Sequence, residues 1–132
     1  MSFFETIPHT VEFCVVGGGL SGLAAAVSAA RHGRKVALIQ DRPMLGGNAS
    51  SEVRMWVCGA HGDNNRETGI IEELELNNYY RNPYKNYPIW DGIMLELAKN
   101  EPNLSLYLNC TCIDGEMEGS RLKKITCWQV TT

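Results

Sequence analysis

The chain has 132 residues, of which 44% are hydrophobic and 20% are charged. This composition is typical of a globular domain rather than of a disordered segment, and the length predicts one domain with its own core. The net charge is −3, from 12 basic and 15 acidic residues. It argues against broad binding to nucleic-acid phosphates and against a polybasic membrane patch.

The sequence predicts a cytoplasmic protein without a membrane span. The longest weakly polar stretch, residues 20–30, is too short to cross a bilayer, and the first residues lack the basic start and apolar run of a signal peptide. The cysteine count is odd and fits no disulfide framework, so we expect free thiols in a reducing compartment at Cys14, Cys58, Cys110, Cys112 and Cys127. No cysteine pair has the spacing of metal ligands, and no metal site is predicted.

The first elements in chain order form a βαβ unit. Residues 1–11 are a lead-in segment, and residues 12–132 form the domain. The apolar run 12–16 predicts a buried parallel strand, 20–31 an alanine-rich helix and 35–39 a second buried strand. The connection between two such strands is expected to be right-handed.

The rest of the chain extends this unit. The predicted elements are, in order, a loop over 41–63, a helix over 67–80 that starts with a capping box from Asn64 to Glu67, a loop over 77–87, a helix over 89–100, a strand over 104–108, and a hairpin of strands 111–118 and 121–131. The predicted fold class is therefore α/β: a Rossmann-like βαβ unit with a parallel sheet, plus a C-terminal β-hairpin.

Three glycines between the first strand and the helix match the pattern GxGxxG. Gly17 permits the tight turn, Gly19 lets the backbone approach a pyrophosphate, and Gly22 lets the helix pack close to the strands. The free N–H groups and the dipole at the helix start favour a diphosphate. The sequence therefore predicts a dinucleotide site here, completed by Leu20 and Ser21.

The residue at the end of the second strand is expected to bind the ribose of the dinucleotide. An acid is usual there, about 20 residues after the first glycine, but this chain has Gln40. Its amide oxygen accepts a hydrogen bond without the help of a charge. The neighbouring Asp41 is the alternative ribose ligand.

Residues 15–26 and 32–47 resemble the amino-terminal FAD-binding segment of the two-dinucleotide-domain flavoproteins. Within that group they are most similar to the FAD-dependent oxidoreductase family, which is related to fumarate reductase and succinate dehydrogenase flavoprotein subunits. The resemblance continues to the hairpin and implies an FAD/NAD(P)-binding fold with FAD as cofactor. It further implies these positions: the pyrophosphate at Gly17, Gly19 and Gly22, the adenosine near Arg42, a second glycine turn at Gly46 and Gly47 followed by Asn48, and the adenine edge at the backbone of Cys112, placed at the end of the third strand.

No cysteine pair follows the second glycine turn, so a flavin–disulfide relay is not expected. The catalytic candidates are Arg54, whose cation would stabilise reduced flavin or an anionic substrate, and His61, which would transfer a proton. Polar residues in a glycine-rich loop are more often solvated, which is the alternative interpretation of both residues.

The resemblance also implies the amino-terminal part of a larger flavoenzyme that acts on a small-molecule substrate. We expect a partial domain that binds FAD weakly or not at all and is inactive by itself. An exposed strand edge or apolar face would then favour self-association into a homo-oligomer. The alternatives are an NAD(P)-binding domain of a dehydrogenase and a non-catalytic nucleotide-binding module.

Overall fold

The computed structural model of the protein describes residues 4–60 and 62–130. Within them the elements are, in chain order, β1 (Phe13–Val16), α1 (Leu20–Arg31), β2 (Val36–Ile39), a 3-10 turn (Gly47–Ala49), α2 (Gly69–Arg81), α3 (Tyr87–Lys99), β3 (Leu104–Tyr107), β4 (Cys110–Glu118) and β5 (Arg121–Gln129). None of the helices in these ranges is long and apolar enough to cross a bilayer.

The parallel sheet has the strand order β1-β2-β3, and β2 lies in the centre. All four residues of β2 are buried, as its continuous apolar run predicts. Successive side chains point to opposite faces, so β2 contributes to two cores. Val36 and Leu38 pack with the helices, whereas Ala37 and Ile39 pack with the hairpin. The predicted Rossmann-like α/β fold with a C-terminal hairpin is confirmed.

The larger core lies between the sheet and the helices. Leu23 and Val27 of α1 are fully buried, because the apolar positions of this helix fall on one face. On α3, Trp90 and Met94 are buried at the spacing of one helical turn. The indole N–H of Trp90 donates to the carbonyl oxygen of Ala49 at 3.0 Å, which fixes the segment after β2 against α3.

The smaller core covers the other face of the sheet. Here Cys110 is buried with Ala37 and Ile39, and Ile125 and Cys127 pack against them. The antiparallel hairpin of β4 and β5 is thereby held across β2, and the backbone N–H of Cys110 donates to the carbonyl oxygen of Gln40 at 2.9 Å. The result is a three-layer arrangement of helices, parallel sheet and hairpin.

The prediction that the first strand is buried is wrong. Phe13 is 45% exposed and Val16 is 55% exposed, because β1 pairs only with β2 and its other edge has no partner strand in the described ranges. A continuous apolar run indicates that both faces suit an apolar cover. It does not tell whether another strand lies beside it.

Two local placements also differ from the sequence prediction. The predicted capping box from Asn64 to Glu67 does not start α2, which begins at Gly69 after an N-cap at Thr68 without a side-chain cap; Asn64 itself has a positive φ of 61°. Cys112 lies inside β4 rather than at the end of β3, since β3 already ends at Tyr107. The capping-box pattern was thus right about the helix and wrong about its start. For Cys112, the predicted strand 111–118 agrees with β4, and only the placement implied by the resemblance was wrong.

Candidate functional site

The first glycine turn joins β1 to α1 at the carboxyl end of the parallel sheet. Gly17 has a φ of 109°, a conformation that L side chains rarely adopt. A Cβ on Gly22 would overlap the carbonyl oxygen of Gly17, so α1 starts in direct contact with the turn. A Cβ on Gly19 would meet nothing within 4 Å. The turn therefore leaves no room for a side chain at Gly22, where it meets α1, but leaves open space at the Cβ position of Gly19.

The start of α1 presents backbone amides to this open side. The first amides of a helix have no acceptor within the helix; here Leu20 lies at the bridge between Gly19 and Gly46, and the next two amides are those of Ser21 and Gly22. The N-cap Gly19 has no side chain to cap them, and the first turn contains no acidic residue. The positive end of the helix dipole is thus not neutralised by α1 itself, which favours an anion at this position.

The second glycine turn packs against the first. The N–H of Gly46 donates to the carbonyl oxygen of Gly18 at 2.8 Å, and a Cβ on Gly47 would lie 3.3 Å from Cα of Gly19. Gly46 and Gly47 have φ values of 102° and 56°. The structure therefore brings together the two turns that the family resemblance assigns to one diphosphate.

The side chain of Gln40 connects these two turns. Its side chain is buried, with 4% exposure. The amide oxygen accepts from the N–H of Gly18 at 2.7 Å, and the amide nitrogen donates to the carbonyl oxygen of Met44 at 2.9 Å. The polar atoms that the sequence assigned to ribose are therefore already engaged within the protein.

The remaining predicted contact residues directly follow Gln40 and Gly47 in the chain. Asp41, Arg42 and Asn48 are exposed, and the guanidinium of Arg42 lies 3.7 Å from the carboxylate of Glu52. The N–H of Asn109 donates to the carbonyl oxygen of Arg42 at 3.2 Å. This bond and the bond from Cys110 to Gln40 place the hairpin base, which is the end of the hairpin where β4 begins, beside residues 40–42. Cys112 is two residues further along β4.

The two catalytic candidates have different outcomes. His61 lies outside the described residues. Arg54 is exposed with a φ of 65°, its Nε donates to the carbonyl oxygen of Ser51 at 3.1 Å, and its carbonyl oxygen accepts from the hydroxyl of Tyr87 at 2.6 Å. The guanidinium carbon lies 6.0 Å from the centre of the Tyr87 ring. The backbone of Arg54 is therefore fixed while its charge remains accessible.

Sequence reasoning missed Gly18, the second residue of the turn. A Cβ there would lie 2.6 Å from Cδ2 of Leu45 and 3.0 Å from Cβ of Gln40. The pattern GxGxxG leaves this position open, although the run of three glycines is a visible signal. Gly18 is required because two later segments of the chain pack onto the turn.

The chain matches one family model over residues 12–132, described as FAD dependent oxidoreductase. Among curated proteins it is 54% identical over 43 residues to the fumarate reductase (cytochrome) of Shewanella frigidimarina, covering 32% of this chain and 8% of that protein. It is 48% identical over 42 residues to the soluble pyridine nucleotide transhydrogenase of Marinobacter nauticus, covering 32% and 9%. The matched segment covers less than a tenth of the length of each of these relatives.

Among the solved structures that match this chain, two examples share the fold. The L-proline dehydrogenase of P. horikoshii superposes on 97% of this chain and 22% of its own length, with a TM-score of 0.51 and 18% identity. Thermovibrio ammonificans THI4 superposes on 90% of this chain and 48% of its own length, with a TM-score of 0.57 and 16% identity. At these identities the likeness supports the fold alone.

Proposed function

Because the chain belongs to the FAD-dependent oxidoreductase family, we propose that its paired glycine turns bind the ADP half of FAD within a flavin-dependent oxidoreductase. One observation supports this most strongly: Gly19 faces open space at the uncapped start of α1, with the second glycine turn packed beside it. The residues fit the cofactor, because a pyrophosphate above Gly19 would meet backbone amides and no side chain.

For the ribose, we propose Asp41 rather than Gln40. The amide of Gln40 is occupied by Gly18 and Met44, whereas the carboxylate of Asp41 is exposed at the same end of β2. A carboxylate accepts hydrogen bonds from ribose hydroxyls with the help of its charge. Arg42 and the backbone near Cys112 then border the adenosine, because the hairpin base lies beside residues 40–42.

When bound, FAD supplies the hydride and electron chemistry of the enzyme. The described residues bind and orient the cofactor, and Arg54 offers an accessible cation that would stabilise negative charge on a substrate. The predicted proton transfer by His61 remains part of this proposal. In this proposal the whole enzyme is cytoplasmic and acts on a small-molecule substrate. The 132-residue chain alone has no catalytic turnover.

Backbone NMR of the chain during titration with FAD tests the site, because chemical shifts report even weak binding. We expect the largest shifts at Gly19, Ser21, Gly22 and Gly47. The variant Gly19→Ala keeps an extended backbone that alanine adopts (φ −64°, ψ 176°), yet its methyl group fills the pyrophosphate space. It should raise the Kd at least about tenfold, which corresponds to about 1.4 kcal/mol.

Gly92→Ala is the matched control, since Gly92 is exposed on α3 with nothing near its Cβ position. It should leave the titration unchanged. Equal Kd values for Gly19→Ala and the parent chain, or shifts confined to other residues, would refute the site.

The same titration separates the two alternatives. ADP should reproduce the FAD shifts at the glycine turns and FMN should not, because the proposed site takes the ADP half. Tighter binding of NAD or NADP than of FAD would support a dehydrogenase domain. Tight binding of every adenine dinucleotide by the chain alone would support a non-catalytic nucleotide-binding module.

A further inference from the structure

The cysteines of the hairpin gather on one face of its base. Cys110 and Cys112 are two residues apart on β4, so their side chains point to the same face. Cys127 on β5 is directly opposite Cys112 in the strand register. All three are free thiols, and Cys110 and Cys127 also belong to the smaller core.

The pairing type of Cys112 and Cys127 follows from the bond at the hairpin base. The N–H of Val130 donates to the carbonyl oxygen of Asn109 at 3.0 Å, so Asn109 and Val130 form a hydrogen-bonded pair. The next pair along the ladder, Cys110–Gln129, is therefore a non-hydrogen-bonded pair. Pair types alternate along an antiparallel ladder, and the register is regular from 110 to 112. The pair Cys112–Cys127 is therefore also non-hydrogen-bonded.

This pair type suits a cross-strand disulfide. In non-hydrogen-bonded pairs the facing Cα atoms are about 4.5 Å apart and the side chains approach each other. Disulfides span Cα distances of about 4.4–6.8 Å. Two further thiols lie near this pair. Cys110 is diagonally across from Cys127 in the register and within hydrogen-bond reach of its thiol, and Cys14 on β1 has its pKa raised by burial and by the neighbouring Cys112. The residues that the structure describes hold no group of three or more ligands arranged for a metal ion.

We propose that Cys112 and Cys127 are a redox pair that closes to a cross-strand disulfide by exchange with a small-molecule disulfide of the glutathione class. The thiolate of Cys112 attacks the external disulfide, whose S–S bond breaks and releases one thiolate, which takes up a proton. The sulfur of Cys127 then loses its proton and attacks the sulfur of Cys112, releasing the second thiol. Two protein thiols are oxidised, and one external disulfide is reduced to two thiols.

The order of these steps follows from the environment of the thiols. Burial, together with the neighbouring thiols of Cys110 and Cys112, raises the pKa of Cys127 to about 12. Its thiolate is therefore scarce near neutral pH, and the first attack starts from Cys112. Burial also raises the pKa of Cys110, which makes it a poor competitor.

The disulfide would close the hairpin where it contacts the sheet. Cys112 is two residues from Cys110, whose N–H is bonded to Gln40, so oxidation fixes the strand that lies beside the proposed adenosine site. The chemistry of the pair does not depend on cofactor binding. Failure of one proposal therefore leaves the other standing.

Peptide mapping tests the pair. The chain is incubated with oxidised glutathione, alkylated and digested with trypsin, which cleaves at Arg121, Lys123 and Lys124 between the two cysteines. We expect the two tryptic peptides to be joined by a disulfide and to separate after reduction. Glutathione on the exposed Cys58 shows in the same digest that the reagent reacted.

Single serine variants identify the partner, because Cys110 and Cys112 lie on one tryptic peptide. The link should persist in Cys110→Ser and in Cys14→Ser, and fall at least about tenfold in Cys112→Ser. Near-ultraviolet circular dichroism of each variant verifies that it is folded. Retention of the link in Cys112→Ser, whatever happens in Cys110→Ser, or no link while Cys58 carries glutathione, would overturn the proposal.

Discussion

The side-chain oxygen of Gln40 accepts a hydrogen bond from the N–H of Gly18 at 2.7 Å, and both groups are buried. The same amide donates to the carbonyl oxygen of Met44 at 2.9 Å. One side chain thus links the first glycine turn to the segment that leads into the second. Because a buried polar group without a partner costs about 1–3 kcal/mol, Gln40 holds the relative position of the two turns.

The variant Gln40→Glu tests this link. The carboxylate still accepts from Gly18, but it cannot donate to Met44 and places its charge beside a carbonyl oxygen. We expect a loss of about 3 kcal/mol in the free energy of unfolding near neutral pH, measured by urea denaturation. Burial raises the pKa of the new carboxyl above its unfolded value of about 4.3. The protonated acid mimics glutamine, so the loss in the free energy of unfolding should be small below the unfolded pKa. It should grow as the pH rises through the folded pKa.

Gln129→Glu is the control for this experiment. Gln129 is exposed on β5 and makes one bond, from its amide nitrogen to the carbonyl oxygen of Leu108 at 3.0 Å. Its replacement should cost less than about 0.5 kcal/mol. Equal losses in the two variants, or a deficit of Gln40→Glu that does not change with pH, would contradict the role assigned to Gln40.

The variant Gly22→Ala tests the contact between α1 and the first turn. The new methyl group would overlap the backbone oxygen of Gly17, which has no rotamer by which to move away. We expect a loss of about 3 kcal/mol or more in the free energy of unfolding, from thermal or urea denaturation. Gly92→Ala, on the open side of α3, should instead stabilise by up to about 1 kcal/mol. A Gly22→Ala protein as stable as the parent chain would show that the turn is not closed in this way.

Arg31 connects α1 to two other segments. Its guanidinium lies 2.6 Å from Glu73 on α2 and 2.6 Å from Glu101 before β3, and the hydrogen bond to Arg31 lowers the pKa of Glu73. The group is partly exposed, so we expect Arg31→Gln to cost only about 1 kcal/mol near neutral pH. A lowered folded pKa contributes stability above the unfolded value and loses it as the pH falls through the folded value.

The difference between Arg31→Gln and the parent chain should therefore shrink below about pH 4.5, which urea denaturation across the acid range measures. Arg34→Gln is the comparison, since the ion pair of Arg34 with Glu12 is more exposed. It should have the smaller effect. A difference that stays constant from neutral to acid pH would contradict the assigned ion pair.

The βαβ unit was predictable because its signals are local. The alanine-rich run of α1 begins and ends near glycines, and β2 is apolar without interruption, so the observed α1 and β2 fall within one residue of their predicted bounds. The family was likewise predictable from residues 15–26 and 32–47, and the family match over residues 12–132 confirms that prediction. Short-range patterns of this kind can be read from the sequence without knowledge of the tertiary contacts.

The exposure of β1 and the contacts of Gln40 were not predictable for a common reason. Whether an apolar strand is central or at an edge depends on which other strands pair with it. Whether Gln40 meets a ribose or Gly18 depends on how the second turn approaches the first. Both are tertiary facts that periodicity does not encode. The roles of the site residues toward FAD therefore stay predictions.

The free edge of β1 leads to the last prediction, which concerns self-association. Val16 is 55% exposed and Phe13 is 45% exposed on a strand that pairs on one side only within the described ranges, and such edges promote pairing between copies. We expect concentration-dependent association of the 132-residue chain in sedimentation or light scattering. Val16→Lys should reduce it, because a charge on an edge strand opposes strand pairing. Val53→Lys, at a residue 52% exposed outside the sheet, should not. An equal effect of both variants, or a monomeric parent chain at all concentrations, would refute association through β1.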